Sequence, residues 1–322
     1  MNKQLLQQAR GWRRSRWLLL ALLAASALAA WARPVPAAPP EPAQLPAFRI
    51  LLFSRTEGYR HAAIPAAIAA LKGLGSEAGF AVDSTEDAAM FSDIGLAPYA
   101  AVVFLMTTGD VLDASQQAAF ERYIAAGGGY AGIHSASDTE YAWPWYGGLV
   151  GAYFANHPRG TQRATILVEN RLHPSTADLP LQWQRTDEWY NFQTNPRARV
   201  QVLARLDETT YNGGTMGADH PIAWYHAYAG GRAWYTAGGH SSASYSEELF
   251  LAHILGGIRY AAGVAPAEPS TPTSTPTSTP TATNTPPTLP VTTPTPSATP
   301  TATGVAGAPP QRPQLWLPLT RR

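Results

Sequence analysis

The chain has 322 residues, a net charge of +1 and no cysteine. A net charge this small creates no field that would attract nucleic acid or an anionic membrane. Because cysteine is absent, disulfides, thiolate metal sites and a cysteine nucleophile are excluded. Of the 29 prolines, six precede residue 48 and fifteen follow residue 263, so only the middle of the chain has the composition of a globular domain.

Residues 1–32 have the pattern of an export signal peptide. Five basic residues are followed by sixteen uncharged residues, 17–32, which end in small side chains. This stretch is shorter than the about 20 apolar residues of a membrane-spanning helix. We therefore expect a secreted or cell-surface protein, with an uncleaved membrane anchor as the alternative. Residues 33–47 follow as a Pro/Ala-rich linker.

The C-terminal part has a biased composition. Residues 264–312 are rich in Thr, Pro and Ser, and closely spaced prolines favour extended chain over helix or sheet. We predict a disordered stalk there. Residues 313–322 form an apolar and basic tail, similar to surface-sorting tails, which suggests attachment to the cell surface.

Between these flanks, apolar runs alternate with amphipathic segments. Four strands are predicted, at 48–54, 80–84, 99–106 and 130–134, with helices at 62–78 and after Asp113. Buried strands that alternate with helices predict an α/β fold, a mainly parallel sheet with helices on both faces. Five later strands, at 161–169, 183–192, 200–206, 222–228 and 232–236, predict an antiparallel extension, and 246–261 a closing helix.

Parallel sheets bind ligands beyond the carboxyl ends of their strands. The fourth strand ends in G-I-H-S-A, so a sharp turn would display His134, where α/β hydrolases place a nucleophile. Histidine there is suited to a general base, a metal ligand or a hydrogen-bond anchor. His240 follows the last strand after two glycines. Because adjacent strand residues point to opposite faces, only one of Asp187 and Glu188 is expected to face the cleft.

The sequence gives weaker signals for a bound metal and for the binding partner. No H-E-x-x-H or H-x-H spacing occurs, so no metal ligand is assigned. Zinc or another divalent ion held by His134, His240 and Glu188 is kept as an alternative. Aromatic residues after the His134 turn are suited to stacking on a sugar, with core packing as the alternative. Without basic neighbours they argue against nucleic acid.

At these residues the chain resembles the ThuA-like (trehalose utilisation) family of the class I glutamine amidotransferase-like superfamily. The motifs that carry the resemblance are TEGYRH at 56–61, GGGYAGIHSA at 127–136, NHP at 156–158, HP at 173–174, DEWYNF at 187–192, PIAWYHAYAGGRAWYTAGGH at 221–240 and LGGIRYAAG at 255–263. The resemblance covers residues 48–263 and implies a flavodoxin-like fold. It also implies that the amidotransferase elbow survives without its cysteine, so amidotransferase activity is not expected.

We therefore expect a sugar or a sugar derivative to bind at the carboxyl edge of the sheet, where a hydrolase or lyase reaction is one interpretation. The predicted catalytic residues are His134, Glu188 and His240. The predicted substrate-binding residues are Arg60, His61, Tyr130, Asp138 and Tyr190. The alternative is a non-catalytic carbohydrate-binding or surface-display module.

Overall fold

The computed structural model describes residues 48–264. The predicted export signal, the Pro/Ala-rich linker, most of the stalk and the tail lie outside the described residues. Within residues 48–264, no helix is long and apolar enough to cross a membrane.

A nine-stranded sheet organises this part of the chain, in the order β2-β1-β3-β4-β11-β10-β9-β6-β7. Its strands are β1 (Arg49–Phe53), β2 (Ala81–Thr85), β3 (Ala101–Leu105), β4 (Gly129–Ile133), β6 (Gln162–Val168), β7 (Gln182–Asp187), β9 (Gln201–Asp207), β10 (His220–Tyr228) and β11 (Gly231–Thr236). A separate pair joins β5 (Phe154–Asn156) and β8 (Asn191–Phe192).

The first five strands of that order are parallel, and the rest pair antiparallel. The register places Leu105, Ile133 and Thr236 side by side, so that β3, β4 and β11 end at one level. Because β10, β9, β6 and β7 alternate in direction, β7 ends at the same edge of the sheet. This confirms the predicted α/β fold with its antiparallel extension.

Five α-helices accompany the sheet within the described residues: α1 (Ile64–Ala78), α2 (Asp93–Leu96), α3 (Ala114–Ala125), α4 (Pro144–Val150) and α5 (Glu248–Ala261). Pro65 lies in the first turn of α1, where its missing amide hydrogen costs nothing. Asp113 and Gln116 form the predicted capping box of α3. Helix α1 packs against α5, and α3 packs against α2.

Two predictions about individual elements need correction. The predicted strand 183–192 is interrupted, because β7 ends at Asp187 and the chain leaves the large sheet before β8. In the closing helix, the spacing of Leu249 with Phe250, Ile254 and Ile258 predicts that all four share one apolar face. Leu249 is instead 38% exposed, while the other three are buried. Both differences arise where tertiary contacts outweigh the local pattern.

Candidate active site and possible metal-ligand cluster

Four loops at the carboxyl edge of the sheet bring the candidate groups together. His61 lies in the loop after β1, His134 directly follows β4, Glu188 follows β7, and His240 lies four residues beyond the end of β11. The ring centroids of His134 and His240 are 5.3 Å apart, and that of His61 lies 4.7 Å from His134 and 5.2 Å from His240. The strand ends therefore build one compact group from residues far apart in the sequence.

His134 occupies the sharp turn that its sequence context predicts. Its backbone φ is 55°, a left-handed conformation that is strained for a residue with a side chain, and such strain is typical of functional positions. The ring is fully buried. Its Nδ1 lies 2.7 Å from the carbonyl oxygen of Ala237, and because a carbonyl only accepts, Nδ1 carries the hydrogen. In the neutral ring, Nε2 then presents a lone pair to the site.

The Nε2 atom of His134 lies within hydrogen-bonding distance of the Tyr190 hydroxyl and of the His61 ring. The Tyr190 hydroxyl lies 2.9 Å away, and Nε2 of His61 lies 3.1 Å away. On the other side of the His61 ring, Nδ1 is 3.4 Å from the Ser135 hydroxyl. The pKa of His61 is lowered to about 3. Burial is the largest cause, and the nearby His134 and His240 rings add to it. His61 is therefore a neutral imidazole near pH 7.

Glu188 is the carboxylate of the cluster. Its Oε2 lies 3.1 Å from His240 Nδ1 and 3.5 Å from His134 Nε2, and its Oε1 lies 3.2 Å from His157 Nδ1. Burial alone would raise the pKa of Glu188, but the contacts with His134 and His240 outweigh it and hold the pKa well below its usual value. The contact with Glu188 in turn raises the pKa of His240.

Asp187 supports the cluster from behind. Its carboxylate accepts hydrogen bonds from the backbone amides of Glu188, Gly239 and His240, at 2.9, 2.8 and 3.0 Å. Arg185, itself buried, lies 3.1 Å from Asp187 and 2.7 Å from Glu247. The two adjacent acids thus have different roles: Glu188 faces the site, and Asp187 joins the loops that carry Glu188 and His240.

A pocket of about 300 Å³ opens over the cluster. It is lined by Tyr59, His61, Asp138, Phe154, His157, Glu188, Tyr190 and His240. This volume is at the lower end of the about 300–1,000 Å³ typical of ligand pockets. Burial raises the pKa of Asp138, although its carboxylate accepts a hydrogen bond of 2.7 Å from the Tyr141 hydroxyl. The pocket therefore contains two acids with opposite shifts: the pKa of Asp138 is raised and that of Glu188 is lowered.

Two residues predicted to bind substrate are not among the pocket-lining residues. Tyr130 is fully buried, and its hydroxyl lies 2.9 Å from that of Tyr146, because the side chain points from β4 into the core. The Arg60 guanidinium lies 2.6 Å from Glu86, a partner that draws it away from the pocket. The other six, His61, His134, Asp138, Glu188, Tyr190 and His240, line the pocket or contact the cluster.

Most of the aromatic residues after His134 pack rather than line the pocket. Tyr146 is fully buried, and the rings of Trp143 and Trp145 stack with centroids 5.1 Å apart. Phe154 does line the pocket. His157 and Tyr59 also line the pocket but were not predicted from the sequence, although they lie within the NHP and TEGYRH motifs.

This arrangement provides two kinds of chemistry. Asp138, whose pKa burial raises, and Glu188, whose pKa the histidines lower, are candidates for a proton donor and a proton acceptor at one pocket. Alternatively, His61, His134, Glu188 and His240 supply four ligand atoms within 4.8 Å of one another, which is a donor set for a metal ion.

Comparisons with known proteins agree with this fold. A family model described as ThuA, trehalose utilisation, matches residues 49–261. A ThuA-like protein from Bacteroides uniformis ATCC 8492 is 25% identical with a TM-score of 0.59, over 70% of this chain and 95% of that one. One from Parabacteroides merdae ATCC 43184 is 21% identical with a TM-score of 0.57, over 67% and 90%, and shows the fold alone. No curated protein matches the chain significantly.

Proposed function

Because the chain belongs to the ThuA (trehalose utilisation) family, we propose that it is an exported protein whose pocket binds and processes a sugar or a sugar derivative. The observation that carries the proposal is the convergence of His134, Glu188 and His240 at one pocket. Three side chains from separate loops are held there by buried hydrogen bonds, as a reactive centre requires.

The pocket wall is suited to a sugar ring. Tyr59, Phe154 and Tyr190 offer aromatic faces, and the apolar faces of sugars stack on such rings. Asp138 and His157 add polar groups on the same wall, which suit hydroxyl groups of a ligand. The small volume favours one or two sugar units over a long polymer.

A hydrolase or lyase reaction is the form of catalysis that these groups support. Asp138, whose pKa burial raises, would donate a proton to a leaving oxygen. Glu188 stays ionised and either accepts a proton or binds a cation, while Tyr190 and His240 orient the substrate. We propose no amidotransferase activity, because that chemistry needs a cysteine thiolate and the chain contains no cysteine.

The test is turnover of a panel of disaccharides and oxidised sugars, with products identified by NMR. We expect turnover by the wild type and a loss of about 100-fold or more in Glu188→Gln and Asp138→Asn. Tyr130→Phe is the matched control, because it removes a hydroxyl that is buried away from the pocket. Turnover that survives Glu188→Gln would exclude this site as the reactive centre.

The aromatic wall also favours a second candidate, a non-catalytic sugar-binding module. It predicts sugar affinity, measured by calorimetry, that survives Glu188→Gln and disappears in Phe154→Ala.

The proposed export of the protein is tested by locating the mature chain and sequencing its N-terminus. The mature protein should be found outside the cytoplasm with its N-terminus near residue 33, and an intact N-terminus at Met1 there would contradict signal cleavage.

A further inference from the structure

The group formed by His61, His134, Glu188 and His240 has a geometry that hydrogen bonds alone do not explain. His61 Nε2 and His134 Nε2 face each other at 3.1 Å, so at most one of them donates to the other. His240 Nδ1 is buried and forms no hydrogen bond, although it lies 3.1 Å from Glu188 Oε2. Three imidazole nitrogens and a carboxylate oxygen that lie this close to one another are typical of metal ligands.

From this convergence we infer that His61, His134, Glu188 and His240 bind one divalent transition-metal ion, for which zinc is the best match. The ligand atoms are Nε2 of His61 and His134, Nδ1 of His240 and Oε2 of Glu188. The inference goes beyond the proposed function and does not depend on a sugar substrate, because metal binding is measurable by itself.

The distances fit a four-coordinate ion. Zinc bonds of about 2.0–2.2 Å place neighbouring ligand atoms of a tetrahedron about 3.4 Å apart. The observed separations are 3.1 Å between His61 and His134, 3.5 Å between His134 and Glu188, and 3.1 Å between Glu188 and His240. All four ligand atoms lie within 4.8 Å of one another. Small side-chain rotations are therefore enough to complete the site.

Hydrogen bonds to the non-ligating atoms of these residues orient the ligands, as is common in metal sites. The hydrogen bond from His134 Nδ1 to the Ala237 carbonyl orients that ring so that Nε2 faces the cluster, where a metal would replace its contact with the Tyr190 hydroxyl. His157 contacts Oε1 of Glu188, which leaves Oε2 for the same purpose. Asp187 holds the backbone of Glu188 and His240 together. Each of these contacts fixes a ligand without occupying the ligand atom.

The donor set also limits the choice of ion. Three imidazole nitrogens and one carboxylate oxygen, with no thiolate, suit Zn²⁺ and its neighbours Co²⁺, Ni²⁺ and Cu²⁺ better than Ca²⁺ or Mg²⁺. His61, Glu188 and His240 also line the pocket, so a bound ion faces the space where a substrate enters. Such an ion would polarise a substrate oxygen and leave proton donation to Asp138.

The test measures metal content and metal binding of the full chain, purified without a histidine tag. After treatment with EDTA and dialysis, Zn²⁺ and Co²⁺ are titrated separately, with mass spectrometry of the elements and the visible spectrum of Co²⁺ as readouts. We expect one equivalent per chain and a spectrum typical of four-coordinate Co²⁺. Saturation with Zn²⁺ should raise the melting temperature by about 5–10 °C.

Variants separate this site from unspecific binding. His61→Asn and Glu188→Gln keep the approximate shape of each side chain and should lower the Zn²⁺ affinity by more than about 100-fold. His226→Asn is the control, because His226 is a buried histidine outside the cluster whose ring nitrogens form no hydrogen bond. Wild-type protein that binds less than a tenth of an equivalent would overturn the inference. Equal affinity in wild type and Glu188→Gln would do the same. Because no sugar is present, neither outcome depends on the proposed function.

Discussion

The Asp187 carboxylate accepts a hydrogen bond from the backbone amide of His240 at 3.0 Å, across 53 positions of sequence. This contact joins the end of β7 to the loop after β11. Because Glu188 follows Asp187 directly, the same carboxylate determines the separation of the carboxylate and imidazole that face the pocket. The candidate site therefore depends on a residue that does not enter it.

Replacing Asp187 with Asn should disturb the site more than the fold. Asn keeps one acceptor oxygen but loses the charge opposite Arg185, so unfolding should become easier by about 3 kcal/mol. The kcat of the sugar reaction should fall about 10–100-fold, because the loops that carry Glu188 and His240 separate.

Glu247→Gln is the matched control for this change. Glu247 is the other carboxylate on Arg185, with Nε of Arg185 2.7 Å away, but the backbone amides of Glu188 and His240 donate to Asp187 and not to Glu247. It should destabilise the protein and leave kcat unchanged. Equal losses of kcat in the two variants would show that Arg185 pairing, and not loop positioning, matters.

The backbone conformation of Gly239 predicts that an added side chain destabilises the protein. Residues with a side chain rarely adopt its φ of +114°, and a Cβ added there would lie 2.7 Å from the Tyr245 hydroxyl. Gly239→Ala should therefore lower the free energy of unfolding by about 2–3 kcal/mol and move His240. Gly79→Ala, at φ +79° with no atom within 4 Å of the added Cβ, should cost only about 1 kcal/mol. Denaturant titration checks both values, and equal costs would contradict the steric argument.

The pH dependence of turnover tests the roles of the two acids. If Asp138 must be protonated, kcat falls as the pH rises through its raised pKa, and Asp138→Asn loses this decrease. The hydrogen bond from Tyr141 lowers the pKa of Asp138, so Tyr141→Phe should shift the decrease to higher pH. An unchanged profile in Tyr141→Phe would assign the titration to another group.

Acid should destabilise the fold through histidines outside the site. Burial lowers the pKa of His253 from 6.5 to about 4. Between these values the unfolded chain binds a proton that the folded chain does not, so the stabilising contribution is present above pH 6.5 and is lost as the pH falls. Linkage gives about 2 kcal/mol of lost stability from His253 at pH 5.

Urea titrations at pH 7.5 and pH 5 measure this loss. His253→Asn should reduce the difference between the two pH values by about 2 kcal/mol, because Asn does not titrate. The control is Tyr130→Phe, which removes a buried hydroxyl whose pKa burial raises above its usual value, so the difference should stay nearly unchanged. A variant His253→Asn that is as acid-sensitive as the wild type would show that other groups cause the loss.

The sequence by itself determined the strands of the large sheet, the helices α1, α3 and α5 and the edge of the sheet where the site lies. Apolar runs such as residues 99–106 have no stable place outside a buried strand, and the capping box at Asp113 is a local feature. The turn at His134 was also predictable, because the order of strand, turn and helix is encoded in adjacent residues.

Only the tertiary structure decided which polar side chains meet. Tyr130 and Asp138 flank the same turn, yet one packs against Tyr146 and the other lines the pocket. His157 contacts Glu188, a partner that its position in the NHP motif does not reveal. The physical reason is that the direction and partner of a polar side chain depend on groups distant in sequence, which come within reach only when β4, β7 and β11 end at one edge.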